Sequence, residues 1–253
     1  MILDSFRLTG KNALVTGSSR GMGAAIAVAL AQAGANVALH ASHSVPADVV
    51  QSVAETGVRH IALIADLSHP DRAPELIDQA VAALGSIDIL INNAGITRRA
   101  PAVDFPLGDW DDVIATNLTS VFRLCQCAAC PMLERGFGKI VNIASLLSFQ
   151  GGITVPAYAA AKGAVAQLTK ALANEWAVRG VQVNAIAPGY MATELTLPLQ
   201  NDPTRSRQIL ERIPAGRWGS PQDAAGAAVF LASSASDYIS GHILVVDGGW
   251  LAR

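Results

Sequence analysis

Short aliphatic runs alternate with longer stretches of helical apolar spacing along the whole chain. The short runs, at residues 13–16, 36–39, 60–65, 87–92, 139–144, 182–187 and 243–246, predict strands. The longer stretches, at 21–33, 46–56, 71–84, 110–135, 158–179 and 221–233, predict helices. The third of these follows Ser68 and Pro70 and is followed by Gly85, a start and a stop signal. Strands separated by helices are joined by crossovers, which makes the sheet parallel and puts helices on both faces. No Pro/Ser-rich linker and no repeat interrupts the series. The expectation is a single α/β domain over residues 1–253, a doubly wound seven-stranded parallel sheet. Only residues 190–219 break the rhythm. They are mixed in character and interrupted by Pro198, Pro203 and Pro214, as expected of a lid or substrate loop.

With 51% hydrophobic and 15% charged residues the chain can bury a large core, which excludes a disordered protein. Its 18 basic and 20 acidic residues leave no electrostatic footprint for nucleic acid or an anionic membrane. No apolar run reaches the roughly 20 residues of a membrane span. The nearest, at 24–39, is broken by Gln32, Gly34 and Asn36. The N-terminus has no basic segment followed by an apolar one, so no secretory leader is expected. The three cysteines, Cys125, Cys127 and Cys130, cannot make a disulfide framework, and a reducing cytoplasm suits them. Helical spacing points Cys125 and Cys127 to different faces with no fourth ligand nearby. They read as buried small residues, with no metal.

The first strand leads into TGSSRGMG, residues 16–23, and then into the first helix. Gly17, Gly21 and Gly23 leave no side chain between that turn and a bound diphosphate. The helix start offers free N–H groups and a positive dipole end. This is the position of the dinucleotide fingerprint, here spaced Gly-x-x-x-Gly-x-Gly and including Ser19, Arg20 and Met22. NAD-binding domains place an acid roughly 20 residues further on to hold the ribose 2′-hydroxyl. Here that stretch holds His40, Ala41, Ser42 and His43, with no acid before Asp48. Arg20 with His40, Ser42 and His43 accommodates a 2′-phosphate that an acid would repel, so NADP(H) is favoured. NAD(H), its ribose held by a backbone group, stays open.

Beyond the fourth strand come Asn93, Ala94 and Gly95; Asn117 begins a long helical stretch; Ser145 follows the fifth strand. Tyr158 and Lys162 sit four residues apart, on one helix face. Such a set can interconvert a carbonyl and an alcohol without metal. Tyr158 is the acid–base, Lys162 lowers its pKa from the ordinary value near 10, and Ser145 holds the substrate oxygen. Asn117 holds a water that links Lys162 to solvent. Each residue also has an ordinary reading: a surface Tyr–Lys pair, a cap at Ser145, a satisfied amide at Asn117. Their joint order favours the chemistry.

These residues and motifs carry a resemblance. With TGSSRGMG, Asp66-Leu67, NNAG at 92–95, Asn117, Ser145, YAAAK at 158–162, and Pro188-Gly189 followed by Met191 and Thr193, the chain resembles the short-chain dehydrogenases/reductases over essentially its whole length. The resemblance implies a Rossmann fold and a tetrad of Asn117, Ser145, Tyr158 and Lys162. It implies Asp66 and Leu67 at the adenine, Asn93, Ala94 and Gly95 near its ribose, and Pro188, Gly189, Met191 and Thr193 around the nicotinamide. Lys162 would also hold the nicotinamide ribose. A homotetramer is implied as well, with residues 250–253 reaching a neighbouring subunit.

The segments NNAGITRR, SFQGG, APGYMAT and GGWLAR are similar to the sugar-acid branch: 2-keto-3-deoxygluconate 5-dehydrogenases, uronate-derived keto acid reductases and gluconate 5-dehydrogenases. A sugar acid needs a cation for its carboxylate and polar groups for its hydroxyls; Arg98 or Arg99 and Arg217 are the candidate cations and Gln150 a candidate polar group. One rival is a 3-oxoacyl-carrier-protein reductase, whose acidic partner calls for a basic patch that the low charge content does not suggest. Another is a non-catalytic nucleotide sensor, a kind of protein that tends to lose a member of the tetrad.

Overall fold

All seven apolar runs form strands in the computed structural model, which describes Met1–Arg253. They are β1 (Asn12–Val15), β2 (Asn36–Ala41), β3 (His60–Ile64), β4 (Ile89–Asn92), β5 (Gly138–Ile143), β6 (Val181–Pro188) and β7 (Ile243–Val246). They lie in one sheet in the order β3-β2-β1-β4-β5-β6-β7, every pairing parallel. The helices between them are α1 (Gly21–Gln32), α2 (Ala47–Ala54), α3 (Ala73–Leu84), α4 (Leu107–Ile114), α5 (Ser120–Arg135), α6 (Pro156–Trp176), α7 (Leu197–Gln200), α8 (Pro203–Arg212) and α9 (Pro221–Ala232).

Side chains alternate across the pleat and build a core on each face. Leu14, Leu90, Ile140 and Val183 point one way, against α3, α5 and α6. Val15, Ile89, Ile91, Val141 and Ile143 point the other way, against α1 and α9. Burying each such side chain stabilises the fold by about 1.5–3 kcal/mol. The buried face of α9 is mostly alanine (Ala224, Ala225, Ala228 and Ala232), which lets α1 lie close against it.

Three expectations change here. The predicted helix at 110–135 is α4 and α5 joined by a π-helical turn, Ala115–Thr119. The resulting rod, Leu107–Arg135, is long and apolar enough to cross a membrane by length and composition, contrary to the expectation that no run was. Half of its most apolar window is buried in the fold, and α5 meets the sheet through Val121, Leu124, Cys125, Ala128 and Met132. That is the pattern of a core helix. Cys125 is buried as expected, but Cys127 is half-buried and Cys130 exposed, because the helix turns them off the core face.

The segment at 190–219 is largely helical. Pro203 stands in the first turn of α8 behind Asp202, whose Oδ1 accepts from the N–H groups of Thr204 and Arg205 at 2.9 and 3.0 Å. A bridge between Met191 and Gly219 closes its base. The C-terminal turn packs against α8 and the turn after β5. Trp250 is 5% exposed among Leu146, Ile209 and Ile213, and the Arg253 side chain donates to the carbonyls of Glu211 and Arg212.

Candidate active site

The strand order reverses between β1 and β4, and the crevice beyond their C-terminal ends is where such sheets take ligands. Gly17 there has φ +62°, in the left-handed region. At Gly23 a Cβ would stand 2.1 Å from the Gly17 carbonyl oxygen and 2.4 Å from Asn93 Nδ2, so no other residue fits. Asn93 ties the crevice together: its Nδ2 donates to the carbonyls of Thr16 and Gly17 at 3.0 and 2.9 Å. Thr16 Oγ1 accepts from the N–H groups of Asn93 and Ala94 at 3.0 and 3.1 Å. The Asn93 amide thus serves the loop first, while Gly95 is exposed above it.

His40 is turned away from the crevice mouth. Its ring is 2% exposed; Nδ1 accepts from the Gly17 N–H at 3.1 Å and Nε2 donates to the Ala65 carbonyl at 2.9 Å. Burial holds its pKa below the ordinary histidine value. The neutral ring therefore pins the glycine loop, and it has no donor left for a phosphate, contrary to the expectation for His40. Ser42 and His43 remain exposed, Ser19 and Met22 are half-buried, and no acid stands beside them. Arg20 is exposed and pairs with Glu194, near the start of the 190–219 segment, at 2.8 Å. Asp66 is exposed, its carboxyl held below the usual range by the Ser68 N–H, and Leu67 is buried beside it.

Ser145, Tyr158 and Lys162 come together beyond β5. Ser145 caps the turn Leu146–Ser148, accepting from the Leu147 N–H at 3.1 Å, and its hydroxyl also reaches the Tyr158 phenol. Lys162 is 4% exposed, its Nζ 5.6 Å from the Tyr158 ring centroid and 2.5 Å from the Ile143 carbonyl oxygen, to which it donates. Burial lowers its pKa to about 8. Burial also raises the Tyr158 pKa, with the Ser145 hydrogen bond pulling the other way. Desolvation outweighs that hydrogen bond, so the phenol is held protonated. Asn117 lies in the π-helical turn, fully buried. Its Oδ1 accepts from the Ile96 N–H and its Nδ2 donates to the Ile96 carbonyl, both at 2.8 Å. The side chain thus fixes the strand-to-helix loop.

Ser145 and Tyr158 open into a cavity of about 470 Å³ that also meets Pro188, Gly189, Met191 and Thr193. Arg99 and Gln150 line it as expected. Arg98 does not; it pairs with Asp109 and Asp112 at 3.5 and 4.0 Å. Arg217 is committed to Asp223 by two bonds of 2.7 and 2.9 Å, which hold that carboxyl well below the usual range. The lining residues that were not foreseen include Arg205 and Arg212 on α8, and Trp250. Their signal was present in PTRSRQILER, where Arg205, Gln208 and Arg212 fall on one helical face, but Pro203 read as a breaker. The cavity wall contains three arginines and no carboxylate.

A family model described as enoyl-(acyl carrier protein) reductase matches residues 17–251. The chain belongs to the short-chain dehydrogenase/reductase family. It is an oxidoreductase of that family. Over their whole lengths it is 52% identical to the 2-dehydro-3-deoxy-D-gluconate 5-dehydrogenase of Dickeya dadantii. A gluconate 5-dehydrogenase from Burkholderia cenocepacia, crystallised with NADP and tartrate, is 42% identical, with complete coverage of both chains and a TM-score of 0.95. An Agrobacterium tumefaciens structure with bound NADP, provisionally a 2-deoxy-D-gluconate 3-dehydrogenase, is 53% identical over 98% of this chain and 99% of that one, with a TM-score of 0.93.

Proposed function

We propose that this short-chain dehydrogenase/reductase uses NADP(H) to interconvert a keto group and a secondary alcohol on a sugar-derived keto acid of the 2-keto-3-deoxygluconate type. The carrying observation is the cavity: Ser145 and Tyr158 open into a space whose only charged side chains are arginines, which suits a small anionic polyol. The relatives' named activities support the same choice.

The crevice fits the dinucleotide. The side-chain-free cradle at Gly17 and Gly23, the α1 N-terminus, exposed Arg20 and Ser42, and the missing acid after β2 suit a diphosphate and a 2′-phosphate. When bound, the cofactor supplies or accepts the hydride. Tyr158 then donates its phenolic proton to the carbonyl oxygen in reduction, or takes the alcohol proton in oxidation. Ser145 donates to the same oxygen and orients it. Lys162, protonated at neutral pH and with only the Ile143 carbonyl as partner, holds ribose hydroxyls and steadies the phenolate. Asn117 keeps the Ile96 loop in place behind them.

The deciding experiment is a steady-state screen with NADPH, NADH and their oxidised forms. Its substrates are 2-keto-3-deoxy-D-gluconate, 5-keto-D-gluconate, D-gluconate and an acetoacetyl thioester, and its control is Tyr158→Phe. The expectation is turnover of a sugar acid, a kcat loss of at least ~10² in the variant, and retained NADPH binding. Turnover of the thioester alone would defeat the substrate assignment, and near-normal Tyr158→Phe would defeat the acid–base role. The same reading makes the protein a cytosolic homotetramer, supported by the exposed apolar Phe122 on α5 and Tyr238 before β7. Light scattering that finds an active monomer would remove that part.

A further inference from the structure

Three arginines face the cavity, and their surroundings differ. Arg205 is bonded to Gln208 on its own helix, at 2.9 Å. Arg99 has neither an ion pair nor a hydrogen bond to fix it. Arg212 is held from several sides. Its guanidinium stacks over the Trp250 ring, 4.1 Å from the centroid, and its Nη2 lies 3.5 Å from Gln150 Oε1. Trp250 Nε1 donates to the same Gln150 oxygen at 3.3 Å. Both neighbours of that oxygen are pure donors, which fixes the orientation of the Gln150 amide and leaves its NH₂ free to donate. The Arg253 side chain fastens the last turn of α8 through the carbonyls of Glu211 and Arg212. The one acid on α8, Glu211, turns towards Arg207 at 3.9 Å and leaves Arg212 without a carboxylate partner.

We propose that Arg212, stacked on Trp250 and flanked by the free amide of Gln150, is the anchor for the substrate's carboxylate, and so sets the enzyme's selectivity for acids over neutral sugars. This rests on the sugar-acid reading of the same cavity. A stacked guanidinium has little rotamer freedom left to lose when it binds, and its fork matches a carboxylate with two parallel bonds. Gln150 follows Ser145 by five residues on the same loop, so the anchor and the reacting oxygen are fixed to one frame. The lid helix and the C-terminal tail therefore both act in substrate choice, and the tail does so within its own subunit.

The test compares 2-keto-3-deoxy-D-gluconate with its uncharged primary amide, in the wild type, Arg212→Gln, Arg212→Lys, Arg99→Gln and Arg205→Gln. Arg212→Gln is expected to raise KM for the acid roughly tenfold to hundredfold, with kcat within about threefold, because a charged hydrogen-bond pair is lost while the reacting groups are untouched. Its KM for the amide should be unchanged, as should its NADPH dissociation constant measured by dihydronicotinamide fluorescence. Arg212→Lys should fall between wild type and Arg212→Gln, and Arg205→Gln should raise KM for the acid less than Arg212→Gln does. Wild-type KM for the acid in Arg212→Gln, with the loss appearing in Arg99→Gln, would overturn the assignment. Equal turnover of acid and amide by the wild type would overturn it too, while leaving the keto–alcohol chemistry intact. A wild-type protein inactive on every sugar acid would remove the substrate reading and this inference together.

Discussion

Arg20 and Glu194 make the cofactor preference measurable. The two side chains meet at 2.8 Å, 71% and 65% exposed, one on the glycine loop and the other in the 190–219 segment. A 2′-phosphate approaching Arg20 must displace Glu194. An ion pair this exposed is worth about 0.2–1 kcal/mol, so Glu194→Gln should tighten NADPH about 1.4- to 5-fold. Arg20→Ala removes the charge-assisted bonds to the phosphate, worth about 1.5–3 kcal/mol, and should weaken NADPH roughly 10- to 150-fold. NADH lacks the phosphate and should move by less than about threefold in either variant. Dihydronicotinamide fluorescence titrations give both constants. Repeating them near 1 M salt, where the screening length is about 3 Å, should narrow the gap between NADPH and NADH in the wild type. Equal loss of both cofactors in Arg20→Ala, or weaker NADPH binding by Glu194→Gln, would show that Arg20 does not read the phosphate.

Two further perturbations probe the frame of the site. Gly23→Ala puts a methyl against the Gly17 carbonyl and Asn93 Nδ2; an overpacking cost of about 1–3 kcal/mol should lower the melting temperature by roughly 2–12 °C and weaken cofactor binding, and a wild-type melt with intact binding would contradict the crowding. The His40 pKa is lowered by burial, so below pH 6.5 the unfolded chain binds a proton that the folded one does not, and stability should fall as pH drops. His40→Asn keeps an acceptor for Gly17 and removes the titration. Urea unfolding at pH 7 and pH 5 should show a smaller loss in the variant, and equal losses would refute the neutral-ring assignment.

The strands were legible because a parallel sheet covered on both faces demands aliphatic runs, and alternation splits them cleanly between two cores. The same covering hid His40. Every position of β2 after Asn36 is buried, so a polar residue near the strand's end looks like a cofactor contact in sequence but packs as an internal strut between Gly17 and Ala65. The π-helical turn was invisible for a related reason. No local propensity calls for it; the tie from the Asn117 side chain to Ile96 stabilises it from outside the helix.

In the 190–219 segment the error was one of sign. Pro198 and Pro203 were taken as interruptions, yet each falls in a helix's first turn, where the missing N–H costs nothing and the fixed φ suits the helix. Once Pro203 is read as a beginning, Arg205, Gln208 and Arg212 fall on one face of the helix it starts. The charge that a sugar acid needs was therefore written in the segment that looked least ordered. It became legible only when Trp250, forty-eight residues beyond Asp202, was seen to close over the same helix. The glycine loop and the tetrad motifs are local and could be read in one pass; the carboxylate anchor is a long-range contact, and long-range contacts are what a single sequence conceals.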